Sequence, residues 1–211
     1  MVGYAQSGLQ NGATMVAPQF LGVTSESGSI ALDAITPTGD NLDDVNIQLL
    51  SSGGTTVTTY FWNTYMYDTP RWVDDDMVEV TGVTFSTGQG LWVGGSDSSQ
   101  ALQSAGKVGL YDVAVQLQNG ATATGNPFPV AINLSDIYPT GDNLDDVNIQ
   151  MLSSGGTTVT TYFWNTYMYE TPRWVDDDMV EVTGVTFSAG QGLWVGGSDS
   201  SQYLNFPAPE L

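Results

Sequence analysis

Residues 35–102 recur at 137–204 with a constant shift of 102, and only five of the 68 paired positions differ: Thr36/Tyr138, Leu49/Met151, Asp68/Glu170, Thr87/Ala189 and Ala101/Tyr203. Whatever this chain folds into, it must fold into it twice. The repeat reaches further back more loosely. Leu9-Gln10-Asn11-Gly12-Ala13-Thr14 matches Leu117-Gln118-Asn119-Gly120-Ala121-Thr122, and Val2-Gly3-Tyr4 matches Val108-Gly109-Leu110, with extra residues in the first copy near GVTSESGS. Each unit is then about 100 residues, a common domain size. The expected organisation is copy 1 at 1–102, a short joint at 103–107 (QSAGK) and copy 2 at 108–211. A joint so short implies adjacent, semi-rigid domains.

Inside each copy the apolar residues alternate. Val45, Ile47 and Leu49 flank Asn46 and Gln48, and Val147, Ile149 and Met151 repeat the pattern, the period of a half-buried strand. Ser51-Ser52-Gly53-Gly54 followed by TTVTTYFWN predicts a hairpin. Val78 and Val80 flank Glu79, Gly82 marks a change of phase, and Leu91 and Val93 flank Trp92. Helical periodicity is missing, and abundant Thr and Gly disfavour helices. A single helical turn fits near Leu32–Ile35 and near Leu134–Ile137. The expectation is an all-β protein of two tandem, nearly identical β-sandwich or small β-barrel domains.

Charge narrows the partners. There are 23 acidic residues against three basic ones (Arg71, Lys107 and Arg173), giving a formal net charge of −20. Nucleic acid is excluded as a partner because its phosphates need Lys and Arg. Anionic membrane surfaces are disfavoured for the same reason, and no apolar run approaches a membrane span. There is no Cys and no His, which removes thiol chemistry and the usual nucleophile–base pairs. Few basic residues leave trypsin-like proteases few cleavage points, which suits an extracellular or cell-surface life, with a secretory leader removed before Met1.

Four short motifs stand out: Val2-Gly3-Tyr4; Asn126-Pro127-Phe128; Tyr60-Phe61-Trp62 with Trp72; and Gly88-Gln89-Gly90-Leu91-Trp92-Val93, which recurs at Gly190 to Val195. In this VGY…NPF…GxGxWV pattern each copy resembles exported β-domain proteins of Verrucomicrobia- and Planctomycetes-like bacteria. The first copy has Ala17-Pro18-Gln19-Phe20 in place of Asn-Pro-Phe. The resemblance implies export and β structure, and it implies no chemistry.

Three residue sets are candidates for function. Asp40, Asp43, Asp44, Asp74, Asp75 and Asp76, with Asp142, Asp145, Asp146, Asp176, Asp177 and Asp178 in copy 2, offer hard oxygen ligands of the kind Ca²⁺ takes, without EF-hand spacing. Tyr65, Tyr67 and Trp72, with Tyr167, Tyr169 and Trp174, are candidate glycan contacts. Trp62, Trp72 and Trp92 are alternatively core residues. The apolar tail Tyr203, Leu204, Phe206, Pro207 and Leu211 either folds back on its own domain or is a candidate assembly element. Docked on the next molecule, it gives a head-to-tail homo-oligomer. Arg71 and Arg173, beside Trp and Asp, read as local ion pairs stacked on an aromatic ring. A carboxylate pair drawn from Asp74–Asp76 and Glu79 is the one enzymatic option.

The expected function is a secreted, non-catalytic structural protein of the bacterial surface that self-assembles into a filament or layer. The alternative is a carbohydrate-binding or adhesive module. Ca²⁺ is the one candidate cofactor. The candidate partners are further copies of this chain and glycans.

Overall fold

The computed structural model describes residues 2–20, 28–51, 55–109, 111–152 and 157–209. The tail residue Leu211, the turn residues 52–54 and the extra residues of copy 1 at 22–27 lie outside them. The strands of copy 1 are β1 (Val2–Gly8), β2 (Gly12–Val16), β3 (Ser29–Ala31), β4 (Ile35–Thr38), β5 (Asn46–Leu50), β6 (Thr56–Asn63), β7 (Arg71–Val73), β8 (Thr84–Ser86), β9 (Leu91–Ser96) and β10 (Ala101–Lys107). Copy 2 repeats them as β11 (Val113–Gln116), β12 (Gly120–Gly125), β13 (Ile132–Asn133), β14 (Tyr138–Thr140), β15 (Asn148–Leu152), β16 (Thr158–Asn165), β17 (Arg173–Val175), β18 (Thr186–Phe187), β19 (Gly192–Ser198) and β20 (Tyr203–Phe206). The expected helical turns are 3-10 turns at Leu32–Ala34 and Leu134–Asp136, and a second pair stands at Leu42–Asp44 and Leu144–Asp146. Among the described residues no helix is long and apolar enough to cross a membrane.

The protein is all-β, but small antiparallel sheets stand where two tandem sandwiches or barrels were expected. Each copy has three: β1-β10-β4, β2-β9-β5-β6-β7 and the ribbon β3-β8, matched in copy 2 by β11-β20-β14, β12-β19-β15-β16-β17 and β13-β18. None closes into a barrel. The first two share one strand order, because the same three chain segments pass through both sheets and fold over a common corner. β1 runs on into β2, β4 into β5, and β9 into β10. At the corner Gly12 pairs with Ser96 and Ala13 with Gly94, so Gly95 is an extra, bulged residue. Its φ is +63°, and a Cβ there would stand 1.8 Å from the Asp44 carbonyl oxygen. Only glycine fits. The buried Gln100 side chain stitches the corner, donating to the Asp40 carbonyl at 2.6 Å and the Asn41 carbonyl at 3.1 Å while accepting from the Asp97 N–H at 3.0 Å. Gln202 repeats this in copy 2.

One apolar core lies inside each copy, drawn from all three sheets: in copy 1 it includes Ile30, Ile35, Val45, Ile47, Trp72, Phe85, Leu91, Val93 and Leu102. Trp72 is 2% exposed and donates its indole N–H to the Ile35 carbonyl at 2.7 Å, and Trp62 meets it edge-on at 5.2 Å between ring centroids. The Asn-Pro-Phe string proves structural. Buried Asn126 donates to the carbonyls of Val130, Phe187 and Ser188 and accepts from the Phe128 N–H, so its amide holds the chain crossing.

Two expectations about the chain path change. Residues 103–107 are not a joint: they are the second half of β10 and pair with β1 from Val2↔Lys107 through Gln6↔Gln103. The tail is the equivalent strand of copy 2. Tyr203–Phe206 pair with β11 and β14, Leu204 and Phe206 are fully buried in their own copy, and Ala208 donates its N–H to Asp112 at 2.9 Å. Alternation explains both. Ala101/Leu102 and Tyr203/Leu204 place the same leucine inward, so the tail completes its own core and is not free to dock elsewhere.

Candidate functional site

The sequence-predicted acids are spread over loops. Asp40, Asp43, Asp44, Asp75 and Asp76 are exposed, as are Asp142, Asp145, Asp146, Asp177 and Asp178. Asp74 and Asp176 are half-buried. Two of them per copy brace the chain: Asp43 accepts from the Thr64 N–H and hydroxyl at 3.0 and 2.6 Å, and Asp74 accepts from the N–H groups of Asp76 and Val78 at 3.1 and 2.8 Å. Among the described residues no three acidic side chains come together in a way that could hold a metal ion. Asp97 and Asp199 are held below the ordinary carboxylate value, first by the hydroxyls and then by the N–H groups of Ser99 and Ser201.

The predicted glycan contacts are not brought together either. Trp72 and Trp174 are core residues. Tyr67 donates its hydroxyl to the Met77 carbonyl and lies 4.6 Å beneath the Arg71 guanidinium, which pairs with Glu79 at 2.7 Å. The local ion pair with aromatic stacking is thus present, with Tyr67 and Glu79 as partners, and Tyr169, Arg173 and Glu181 repeat it. Tyr65 and Tyr167 are exposed on their loops.

A different site lies where the copies meet. The edge strand β2 bridges at Val16 to Gln191, just before β19; the equivalent edge strand β12 bridges at Thr124 to Gln89, just before β9. The contact is therefore reciprocal, as in a two-fold dimer. It is tight because of glycine. A Cβ on Gly90 would lie 2.6 Å from the backbone of Ala123 and Thr124, and one on Gly192 would lie 2.5 Å from the backbone of Met15. Gly90 donates its N–H to the Ala123 carbonyl at 3.0 Å, Ala17 to the Gly190 carbonyl at 2.9 Å, and the buried Thr124 hydroxyl to the Gly88 carbonyl at 2.7 Å. The repeated Gly-Gln-Gly is thus the seam itself, and it also covers two sheet edges.

A groove runs along this seam. Its central cleft, about 380 Å³, is lined by Gln48, Leu50, Thr56 and Trp92 from copy 1 and by Gln150, Leu152, Thr158 and Trp194 from copy 2. The eight residues form four identical pairs. Leu50 also borders a second cleft of about 320 Å³. Leu152 borders a third of about 590 Å³. In a molecule of net charge −20, not one of the described residues lining the three clefts is charged.

Strand register places the polar groups. Gln48 stands directly across from Trp92, and Gln150 from Trp194, so each amide and indole share one face at neighbouring distance. The Gln48 amide is held on both sides. It donates to the Asn46 side chain at 2.8 Å and accepts from the Thr56 hydroxyl at 2.9 Å, and Gln150 does the same with Asn148 and Thr158 at 2.8 and 3.1 Å. Each held amide keeps a second N–H and a spare lone pair. Two half-buried indoles beside two oriented amides form a surface for a polar molecule with apolar faces.

Trp92 and Trp194 were not picked out as ligand contacts from sequence, although a signal was there. Leu91 and Val93 are core residues, so alternation alone puts Trp92 on the opposite face. What the sequence withholds is that the other copy walls that face in. Comparison with known protein families, with curated proteins and with solved structures gave no match.

Proposed function

We propose that this protein is a secreted, non-catalytic carbohydrate-binding or adhesive module of the bacterial surface, built from two tandem β domains, and that it holds an uncharged glycan in the seam groove. The observation that carries this reading is the uncharged, Trp-lined groove on a strongly acidic molecule. Sugar rings have apolar C–H faces that stack on indole and rims of hydroxyls that pair with amides. A charged ligand, of either sign, would be buried there without a partner. The self-assembly reading has less support, since Leu204 and Phe206 are committed to their own core. A glycosidase reading lacks carboxylates in the groove, where a pair is required.

The test is native electrophoresis through gels containing hydroxyethylcellulose, galactomannan or arabinoxylan, with alginate and pectin as acidic controls. At least one neutral polysaccharide should retard the protein, equally with and without a calcium chelator. Retardation by none, or by the acidic polymers alone, contradicts the proposal.

A further inference from the structure

We infer that the groove takes one extended glycan chain per protein molecule, laid across both copies, and that its two unequal flanks set the direction of that chain. The inference rests on the reading of the groove as a glycan site and goes on to its stoichiometry and polarity. A tandem duplication ordinarily suggests two independent sites. Here the reciprocal docking of the copies merges the two halves. Trp92 and Trp194 face one shared cleft, so neither copy has a complete site of its own. Each flanking cleft shares one lining residue with the central one, Leu50 on one side and Leu152 on the other, an arrangement that suits a chain of several sugars rather than a monosaccharide.

Polarity follows from where the two copies differ. The central cleft is identical on its two sides. Of the five differences in the closely repeated segment, Leu49/Met151 and Thr87/Ala189 line the two flanking clefts. The flanks differ again at Ala123 against Met15. Met151 accepts a hydrogen bond from the Gln191 amide at 3.7 Å, and Leu49 has no atom able to do so. A glycan has distinct reducing and non-reducing ends. A site with an even centre and uneven flanks distinguishes them.

The experiment is isothermal titration of the full chain with cellohexaose, mannohexaose and xylohexaose. The oligosaccharide related to the retarding gel polymer should bind with one equivalent per chain. Trp92→Ala and Trp194→Ala should each weaken binding about tenfold or more at unchanged stoichiometry, the loss of one aromatic platform. Gln48→Met, which keeps the side chain's shape and removes the amide, should weaken it too, so the result does not hang on a large-to-small change. Two equivalents per chain, or single Trp variants that halve the stoichiometry and leave the affinity intact, overturns the composite site while the glycan reading stands. Retardation in gels without binding of the matching hexasaccharide also overturns it. Absence of binding in both assays defeats the glycan reading itself. For polarity, a nitroxide on the reducing end should broaden amide signals at one flank, either Thr14 and Met15 or Thr122 and Ala123. Equal broadening at both flanks overturns the directional claim.

Discussion

The acid-rich loops and the seam groove are opposite solutions to the same duplicated sequence. The loops at Asp40–Asp44 and Asp74–Asp76 carry much of the charge, and within them Asp43 and Asp74 accept from the backbone at Thr64, Asp76 and Val78. Each loop is complete within one copy. Among the described residues the seam clefts carry no charge, and the central cleft is complete only when the two copies meet at Gly90 and Gly192. The comparison teaches that, in a repeat protein, conspicuous residue clusters can be local scaffolding while the shared surface is made of residues ordinary for a strand: Gln, Thr, Leu and one Trp per copy.

Parting the copies has the largest expected effect. Gly192→Val places a side chain against the Met15 backbone and should lower stability by about 1–3 kcal/mol, the usual cost of overpacking. It should also remove glycan binding, although Gly192 lies outside the central cleft. Denaturant melts and the gel assay measure the two effects, and unchanged retardation would separate groove from seam. Next in size is a contrast within the core. Trp72→Phe strands the Ile35 carbonyl and should cost about 1–3 kcal/mol. Trp62→Phe removes a buried indole N–H that has no partner among the described residues, so its stability should change much less. Neither should alter sugar binding once folded.

Smaller effects belong to the acids. The Asp97 carboxyl is held below its ordinary value of 3.8, so the folded state favours its charged form. Its contribution is present above that ordinary value and is lost as pH falls through the lower, folded value. Asp97→Asn should therefore be less stable than the parent at pH 7, and the gap should narrow in strongly acidic buffer. The smallest effect is expected from Asp75→Asn with Asp177→Asn, exposed positions where the change should stay within about 0.5 kcal/mol. Glycan binding should be unaffected. A loss there would move the site to the loops.

Much of the fold was legible because alternation is local. Val45, Ile47, Leu91 and Val93 announce their inward faces, and the single helical turn expected near Leu32 stands at Leu32–Ala34. The corner was not, since Gly95 reads as one glycine among 25 until its bulge meets Asp44. The tail was open between folding back and docking elsewhere, and the inward parity of Leu204 and Phe206 makes it the last strand of its own copy. The site was least legible. Trp92 is visibly outward-facing in sequence, but whether that face is bare or walled depends on long-range docking through Gly-Gln-Gly, which no local pattern encodes. The polar pairs Gln48–Thr56 and Gln150–Thr158 likewise become a site only when strand register sets them beside the indoles.

The most direct measurement is a crystal structure of the full chain with the hexasaccharide that binds in titration. A single oligosaccharide should cross the seam, stacked on Trp92 and Trp194 and paired with the amides of Gln48 and Gln150. Sugar bound separately on the Tyr65 and Tyr167 loops, with the seam left untouched, would contradict it.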